Sequence, residues 1–254
     1  IDGGLGANTI VGRNISNVFD FSGTSLLNID AIDGLGGNDV ITGSSGDDTI
    51  IGGKGHDTLL GGDGDDSFLY SGTNNGFDTV SGGAGVDTIS GSAGNDTIGF
   101  EVFSGANTVE FIDGASGTNT IVGRNIANIF DFSGTTLQNI DAIDGLAGND
   151  TITGSAGDDT IIGGTGHDVL DGGLGDDRFV FSNNHGVDTI HNFVAGVATE
   201  DAIDFSGVTS LNDFASVQAN ATDDGSDTTV QYSGGSVILI GVQLASLHED
   251  DFIF

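Results

Sequence analysis

The chain has 254 residues, 38 acidic and four basic, for a formal net charge of −34. So few cations exclude a nucleic-acid binder that works through phosphate contacts and leave little to hold an anionic membrane. No stretch approaches the ~20 apolar residues of a membrane span, and without cysteine there is no disulfide, thiol chemistry or cysteine-ligated zinc. Only Glu101, Glu110, Glu200 and Glu249 are glutamates; every other acid is aspartate. Aspartate is the short carboxylate that folds back onto turns and binds cations beside backbone carbonyls. The charge therefore reads as a ligand set and not merely a solvating coat. With Ile1 at its start and no methionine, the sequence reads as part of a longer protein.

Two repeat periods are nested. The longer is 111 residues: Asn8–Asp66 aligns without gaps on Asn119–Asp177, with 48 of 59 positions identical, and "NTIVGRNISNVFDFSGT" recurs as "NTIVGRNIANIFDFSGT". The two copies run over 3–99 and 114–191. Each opens with turns that carry asparagine, at Asn8 and Asn17 and again at Asn119 and Asn128. Arg13 and Arg124 stand at the second position of the G-R-N-I-x-N turns, and a guanidinium is expected there in the place of a cation. Thirteen-residue inserts follow, FSGTSLLNIDAID (21–33) and FSGTTLQNIDAID (132–144). Their alternation, Leu26, Asn28 and Asp30 against Leu27, Ile29 and Ala31, predicts longer parallel strands in wider coils.

The shorter period is nine. It gives GLGGNDVIT (34–42), GSSGDDTII (43–51), GGKGHDTLL (52–60) and GGDGDDSFL (61–69), then GGAGVDTIS (82–90) and GSAGNDTIG (91–99). The second copy gives GLAGNDTIT (145–153), GSAGDDTII (154–162), GGTGHDVLD (163–171) and GGLGDDRFV (172–180). The first six residues of each unit ask for tight turns that glycine enters freely, and the last three for a short strand. Ile41, Ile50, Leu59 and Phe68, and Ile152, Ile161, Leu170 and Phe179, are expected to point inward and stack. Two nonapeptides would close one coil, which makes the chain all-β: a right-handed parallel β-roll or β-helix solenoid.

The pattern G-G-x-G-x-D-x-U-x, with U a large apolar residue, resembles the calcium-binding nonapeptide of the RTX (repeats-in-toxin, hemolysin-type) proteins. One buried strand residue in three is a thin core against chain entropy and carboxylate repulsion, and calcium would supply what is missing. Turns two units apart share a side, which sets Asp39 over Asp57, Asp48 over Asp66, Asp150 over Asp168 and Asp159 over Asp177. The candidate ligands are Asp39, Asp48, Asp57, Asp66, Asp78, Asp87, Asp96, Asp150, Asp159, Asp168, Asp177 and Asp188. Backbone carbonyls would complete the shells, from Gly34, Gly36, Gly43, Ser45, Gly52, Lys54, Gly61 and Asp63 and from Gly145, Ala147, Gly154, Ala156, Gly163, Thr165, Gly172 and Leu174. Several Ca2+ ions with six to eight oxygen ligands each fit this set better than magnesium, which asks for a stricter octahedron and keeps its water.

No catalytic residues are assigned. His56 and His167 occupy position five of equivalent turns and should face solvent, while His185, His191 and His248 are isolated in sequence. There is no H-E-x-x-H, G-x-S-x-G or P-loop. After Asp188 and His191 the nonapeptides stop, so 1–192 reads as the solenoid and 193–254 as a cap: a short helix around Leu211–Val217, a hairpin and a final strand. A solenoid must close its open end.

This end, from FVFS (179–182) through DTIHNF (188–193) and DAIDFSGV (201–208) to Asp251-Phe252-Ile253-Phe254, resembles the C-terminal regions of type I secreted RTX exoproteins, including serralysin proteases and alginate epimerases. The resemblance implies an uncleaved secretion signal, the type I secretion machinery as partner and an extracellular location. The expected role is that of a structural module that folds on calcium outside the cell, and not an enzyme. Two other readings are a repeat unit of a calcium-dependent surface layer or adhesin, with self-association or surface glycans as partners, and a β-helical polysaccharide-modifying enzyme.

Overall fold

The computed structural model describes residues 1–196 and 201–254 and consists mostly of short β-strands and turns. Contacts divide it into two units, Ile1–Val122 with Gly134–Asp141, and Gly123–Ser133 with Ala142–Phe254.

In the first unit one parallel sheet runs from Thr9–Val11 through Ala31–Asp33, Thr49–Ile51, Ser67–Leu69, Thr88–Ser90 and Phe111–Asp113 to Thr136–Gln138. The intervening strands form a second parallel sheet, Val18–Asp20, Val40–Thr42, Thr58–Asp63 and Thr79–Ala84. Ile32 is in register with Ile50 and Ile50 with Phe68 in one sheet, and Ile41 with Leu59 in the other. Turns of the same side are 18 residues apart, at Asp39 and Asp57 for example, so two nonapeptides close a coil as expected.

The second unit repeats this plan. Ile129–Asp131, Thr151–Thr153, Val169–Asp171, Gly186–His191 and Gly235–Leu239 pair in parallel. Ala142–Asp144, Thr160–Ile162, Arg178–Ser182, Ala202–Gly207 and Phe252–Ile253 form its other parallel sheet.

Most three-residue strands bury their middle residue and leave the flanks open to solvent in part or in full; in Thr9–Val11, Val18–Asp20 and Thr136–Gln138 the middle residue is half-buried. Ile41, Ile50, Phe68, Ile152, Ile161, Leu170 and Phe179 are fully enclosed, and Leu59 nearly so. These side chains stack strand on strand into the inward ladders that the nonapeptides predict.

The inserts depart from expectation. Coils that contain them lengthen to 22 residues, from Asn8 to Asp30 and from Asn119 to Asp141, but they carry no long strands. Ala31–Asp33 and Ala142–Asp144 have three residues each. Asn28 and Asn139 take φ of 53° and 54°, a left-handed conformation that a strand cannot pass through. Their amides hold the bend by donating to Asp2 Oδ1 at 2.9 Å and Asp113 Oδ1 at 2.7 Å.

At the C-terminal end a helix spans Phe214–Asn220. It starts later than the hydrophobic pattern predicts because Asp213 is its N-cap, accepting from Ser216 N at 2.7 Å, the usual way to satisfy an orphan N–H. Strands Ala221–Asp223, Thr228–Tyr232 and Gly235–Leu239 form an antiparallel meander. It turns tightly at Ser233-Gly234, where Gly234 has φ 100°. The meander and Phe252–Ile253 add to the parallel sheets of the second unit, so the last coil pairs with cap strands. Phe181, Phe205, Tyr232 and Phe252 fill the space beneath in edge and stacked contacts.

Because each coil contributes so few apolar side chains, each counts. Leu170→Ala is expected to lower the unfolding free energy of the folded protein by about 2–5 kcal/mol, measured by urea denaturation. An equal change at the exposed Leu174 should be small.

Candidate calcium centre

Each position-six aspartate folds back over its own turn. At Asp57, Asp66, Asp78, Asp87, Asp168, Asp177 and Asp188, Oδ1 then accepts the backbone N–H of the aspartate one coil before it. Asp39 N donates to Asp57 Oδ1 at 2.7 Å, Asp57 N to Asp78 Oδ1 at 2.9 Å, Asp48 N to Asp66 Oδ1 and Asp66 N to Asp87 Oδ1, both at 2.8 Å. In the second unit the series is Asp150 to Asp168 (2.8 Å) and Asp168 to Asp188, Asp159 to Asp177, all within 2.9 Å, then Asp177 to Asp201 at 3.0 Å. The structure thus stacks the pairs that the repeat spacing brings together. What links them directly is a carboxylate-to-main-chain ladder.

The second oxygen is left over. Among the described residues Oδ2 of Asp39, Asp57, Asp66, Asp87, Asp150 and Asp168 is buried without a hydrogen-bond partner, a costly state for a charged acceptor. These oxygens sit against the first glycine of their own turns. A Cβ on Gly145 would lie 2.5 Å from Asp150 Oδ2 and 2.7 Å from the carbonyl oxygen of Gly163, one coil on. A Cβ on Gly34 would lie 2.7 Å from the carbonyl oxygen of Gly52, and one on Gly52 2.5 Å from Asp57 Oδ2. Position one must therefore be glycine for want of room, and carboxylate and carbonyl oxygens from stacked turns converge there. Carboxylate and carbonyl oxygens, the donors of a hard cation, meet in this cradle, so the residues present fit calcium. Among the described residues no group of three or more His, Asp or Glu side chains gathers as a metal site, so carbonyls must supply part of any shell.

The twelve candidate aspartates are not equivalent. In the G-S turns Oδ2 already has partners: Ser44 N donates to Asp48 at 2.5 Å, Ser92 N to Asp96 at 2.5 Å, and Ser155 N and Oγ to Asp159 at 2.6 and 2.9 Å. Asp78 Oδ2 accepts from Tyr70 Oη at 2.9 Å. Asp188 Oδ2 meets His185 Nδ1, whose Nε2 meets Tyr232 Oη. Asp177 is buried, with Oδ1 in the ladder. Among the expected carbonyls, those of Gly52, Gly61, Gly163 and Gly172 reach the cradle of the preceding same-side turn. Those of Lys54 and Thr165 accept backbone N–H groups from Gly37 and Gly148, both at 2.9 Å.

Oxygens that would face a cation in the G-R-N-I-x-N turns surround the amide nitrogen of Asn17 or Asn128, and Arg13 and Arg124 contribute their main-chain atoms. His56 and His167 are exposed, as position five predicts, with Nδ1 near the carbonyls of Phe77 and Val187. His185 was not legible as a ladder neighbour, since the residue that completes its contacts is 47 positions away. The serines were missed as well, although their replacement of the motif's second glycine could have marked them.

Burial pushes Asp57 and Asp168 up to about 6, and Asp66, Asp78 and Asp177 up to about 7. Backbone N–H groups oppose the rise and neighbouring aspartates add to it. Asp87, Asp150 and Asp159 move the same way, again through burial first.

A model of the RTX calcium-binding nonapeptide repeat (4 copies) matches residues 32–68, 73–99 and 141–179. No curated protein matches the chain in sequence. Among solved structures it is similar to the extracellular lipase LipA from Serratia marcescens, at 23% identity and a TM-score of 0.42, over 91% of this chain and 44% of that one. The chain thus spans less than half of that lipase. Fold and ladder together define a parallel β-solenoid of nonapeptide turns. With the repeats matched in both copies, the chain carries RTX calcium-binding nonapeptide repeats, and its parallel β-solenoid fits an RTX-type β-roll.

The raised carboxylates fix a sign. Without metal the folded chain binds more protons than the unfolded one between about pH 4 and pH 7, so stability falls as pH rises through that window. In EDTA, the β-sheet circular dichroism should be stronger at about pH 5 than at about pH 8. Equal or weaker signal at the lower pH would contradict this assignment of the ladder.

Proposed function

We propose that the chain is a calcium-binding structural module of a secreted protein, which folds on calcium outside the cell and supports type I secretion. The observation that carries this reading is the row of buried, partnerless Oδ2 atoms at Asp39, Asp57, Asp66 and Asp87, and at Asp150 and Asp168. These carboxylates would hold the ions together with position-one carbonyls such as those of Gly52, Gly61, Gly163 and Gly172. Calcium when bound supplies positive charge that the ladder oxygens otherwise lack.

The chain's own residues do the rest. Glycine at position one lets the carboxylate reach the stacked turn, Oδ1 sets the spacing of the turns, and the apolar ladders hold the two sides together. Dozens of carboxylates in a thin fold make the metal-free state unfavourable at neutral pH, so folding and binding become one equilibrium. A cell interior poor in calcium keeps such a chain unfolded for export, and the exterior drives it to fold. In this reading 193–254 caps the solenoid and carries the secretion signal, and no residue is assigned to catalysis.

Chelation with EDTA at neutral pH should convert the circular dichroism from β-rich to disordered, and added calcium should restore it where equimolar magnesium does not. A spectrum unchanged after confirmed removal of calcium would sink the proposal. For secretion, export of the chain by a type I system should stop when 193–254 is deleted.

A further inference from the structure

The G-R-N-I-x-N turns carry asparagine where the next turn of the same side carries aspartate. Arg124 N donates to Asn128 Oδ1 at 2.9 Å, which fixes the carboxamide and directs Nδ2 inward. Around that one nitrogen lie Arg124 O at 2.8 Å, Ile126 O at 2.6 Å, Gly145 O at 3.2 Å and Asp150 Oδ1 at 2.9 Å. Asn17 repeats the arrangement in the other unit. Its Nδ2 faces Arg13 O at 2.8 Å, Ile15 O at 2.5 Å, Gly34 O at 3.4 Å and Asp39 Oδ1 at 2.8 Å, while Arg13 N donates to its Oδ1 at 3.2 Å.

An amide NH2 has two hydrogens, yet four oxygens, one of them a carboxylate's, crowd each nitrogen. Three carbonyls and a carboxylate around one centre are the donor set of a hard cation. Asparagine as such does not build this cage. Asn119, also at position six, donates from Nδ2 to Asn139 O at 3.0 Å and accepts from Asp96 N at 3.1 Å through Oδ1. The two caged asparagines instead head the series Asn17–Asp39–Asp57–Asp78 and Asn128–Asp150–Asp168–Asp188.

We propose that Asn17 and Asn128 plug the first cation position of these two ladders: the amide nitrogen stands where an ion would stand, so each ladder begins with a turn that is ordered without calcium and excludes it. The inference deepens the calcium reading above and rests on it. An aspartate at the same place would set a negative oxygen among four others, which is unfavourable alone. With a cation between them it completes a shell from its own carboxylate, three carbonyls and the next aspartate. One substitution, Asn to Asp, therefore converts each plug into a calcium site.

The test counts ions on the full chain. Wild type, Asn128→Asp, Asn17→Asp and Asn128→Ala are saturated with calcium, and bound metal per chain is read by native mass spectrometry, with folding followed by circular dichroism. Each aspartate variant should gain one ion over wild type, and the alanine variant none. In EDTA the aspartate variants should melt below the wild type under conditions where the wild type retains structure. Folded aspartate variants with the wild-type ion count overturn the inference. So does failure of both to fold in calcium, because the ion should complete their shells. A wild type that binds no calcium defeats the underlying reading, and that result is visible before any variant is compared.

Discussion

At the centre of this structure are the two oxygens of a position-six aspartate and the different fates the coil gives them. Oδ1 accepts the N–H of the aspartate one coil away and fixes the stacking of the turns. Oδ2 is carried into the turn, out of water, and in six of these aspartates it has no donor among the described residues. Glycine at position one follows from that geometry, since a Cβ there would occupy the carboxylate's place. The short strands follow as well, because a turn of six residues leaves three for each strand. The raised acidities of Asp57, Asp66, Asp168 and Asp177 express the same burden: a charge held out of solvent returns to its ordinary range only beside an opposite charge.

The ladders also have chemically distinct ends. At one end the amide of Asn17 or Asn128 takes the place of a cation. At the other, Tyr70 donates to Asp78, and His185 with Tyr232 faces Asp188. On the other side of the coil the series headed by Asp48 and Asp159 begin with a serine N–H donating to the carboxylate. Partnerless oxygens lie between these ends. A repeat of nearly uniform sequence is thereby divided into finite rows, and the dividing residues are uncharged or weakly basic side chains that satisfy an oxygen without a metal.

Apolar burial is arranged around the same constraint. Most of the three-residue strands enclose a single residue, and the ladders Ile32–Ile50–Phe68 and Phe130–Ile152–Leu170 run strand on strand. Aromatic clusters thicken the core in places: Phe181, Phe205, Tyr232 and Phe252 gather in the second unit's C-terminal part, and Tyr70, Phe100 and Phe103 in the first unit. The cap can afford this because its strands are longer and its turns carry fewer ladder aspartates. Burial works to raise the Asp204 carboxyl there, but Ser206 and the paired Arg178 together hold it below the usual range.

Much of this was legible in the sequence. The nine-residue period set strand positions, inward residues and the 18-residue coil, because a repeat with one turn and one strand has few ways to stack. The G-R-N-I-x-N turns were visible as departures from the motif, whereas the part played by the serines of the G-S turns was not read from it. What the tertiary structure alone decided is how atoms are shared between coils: which oxygen of each aspartate enters the ladder, that Tyr70 and His185 end it, and that Asn28 and Asn139 bend the inserts instead of extending them. Local sequence specifies turn and strand through backbone preference and periodicity. The partner of a carboxylate oxygen lies a full coil away, and its direction is fixed only once the coils are stacked.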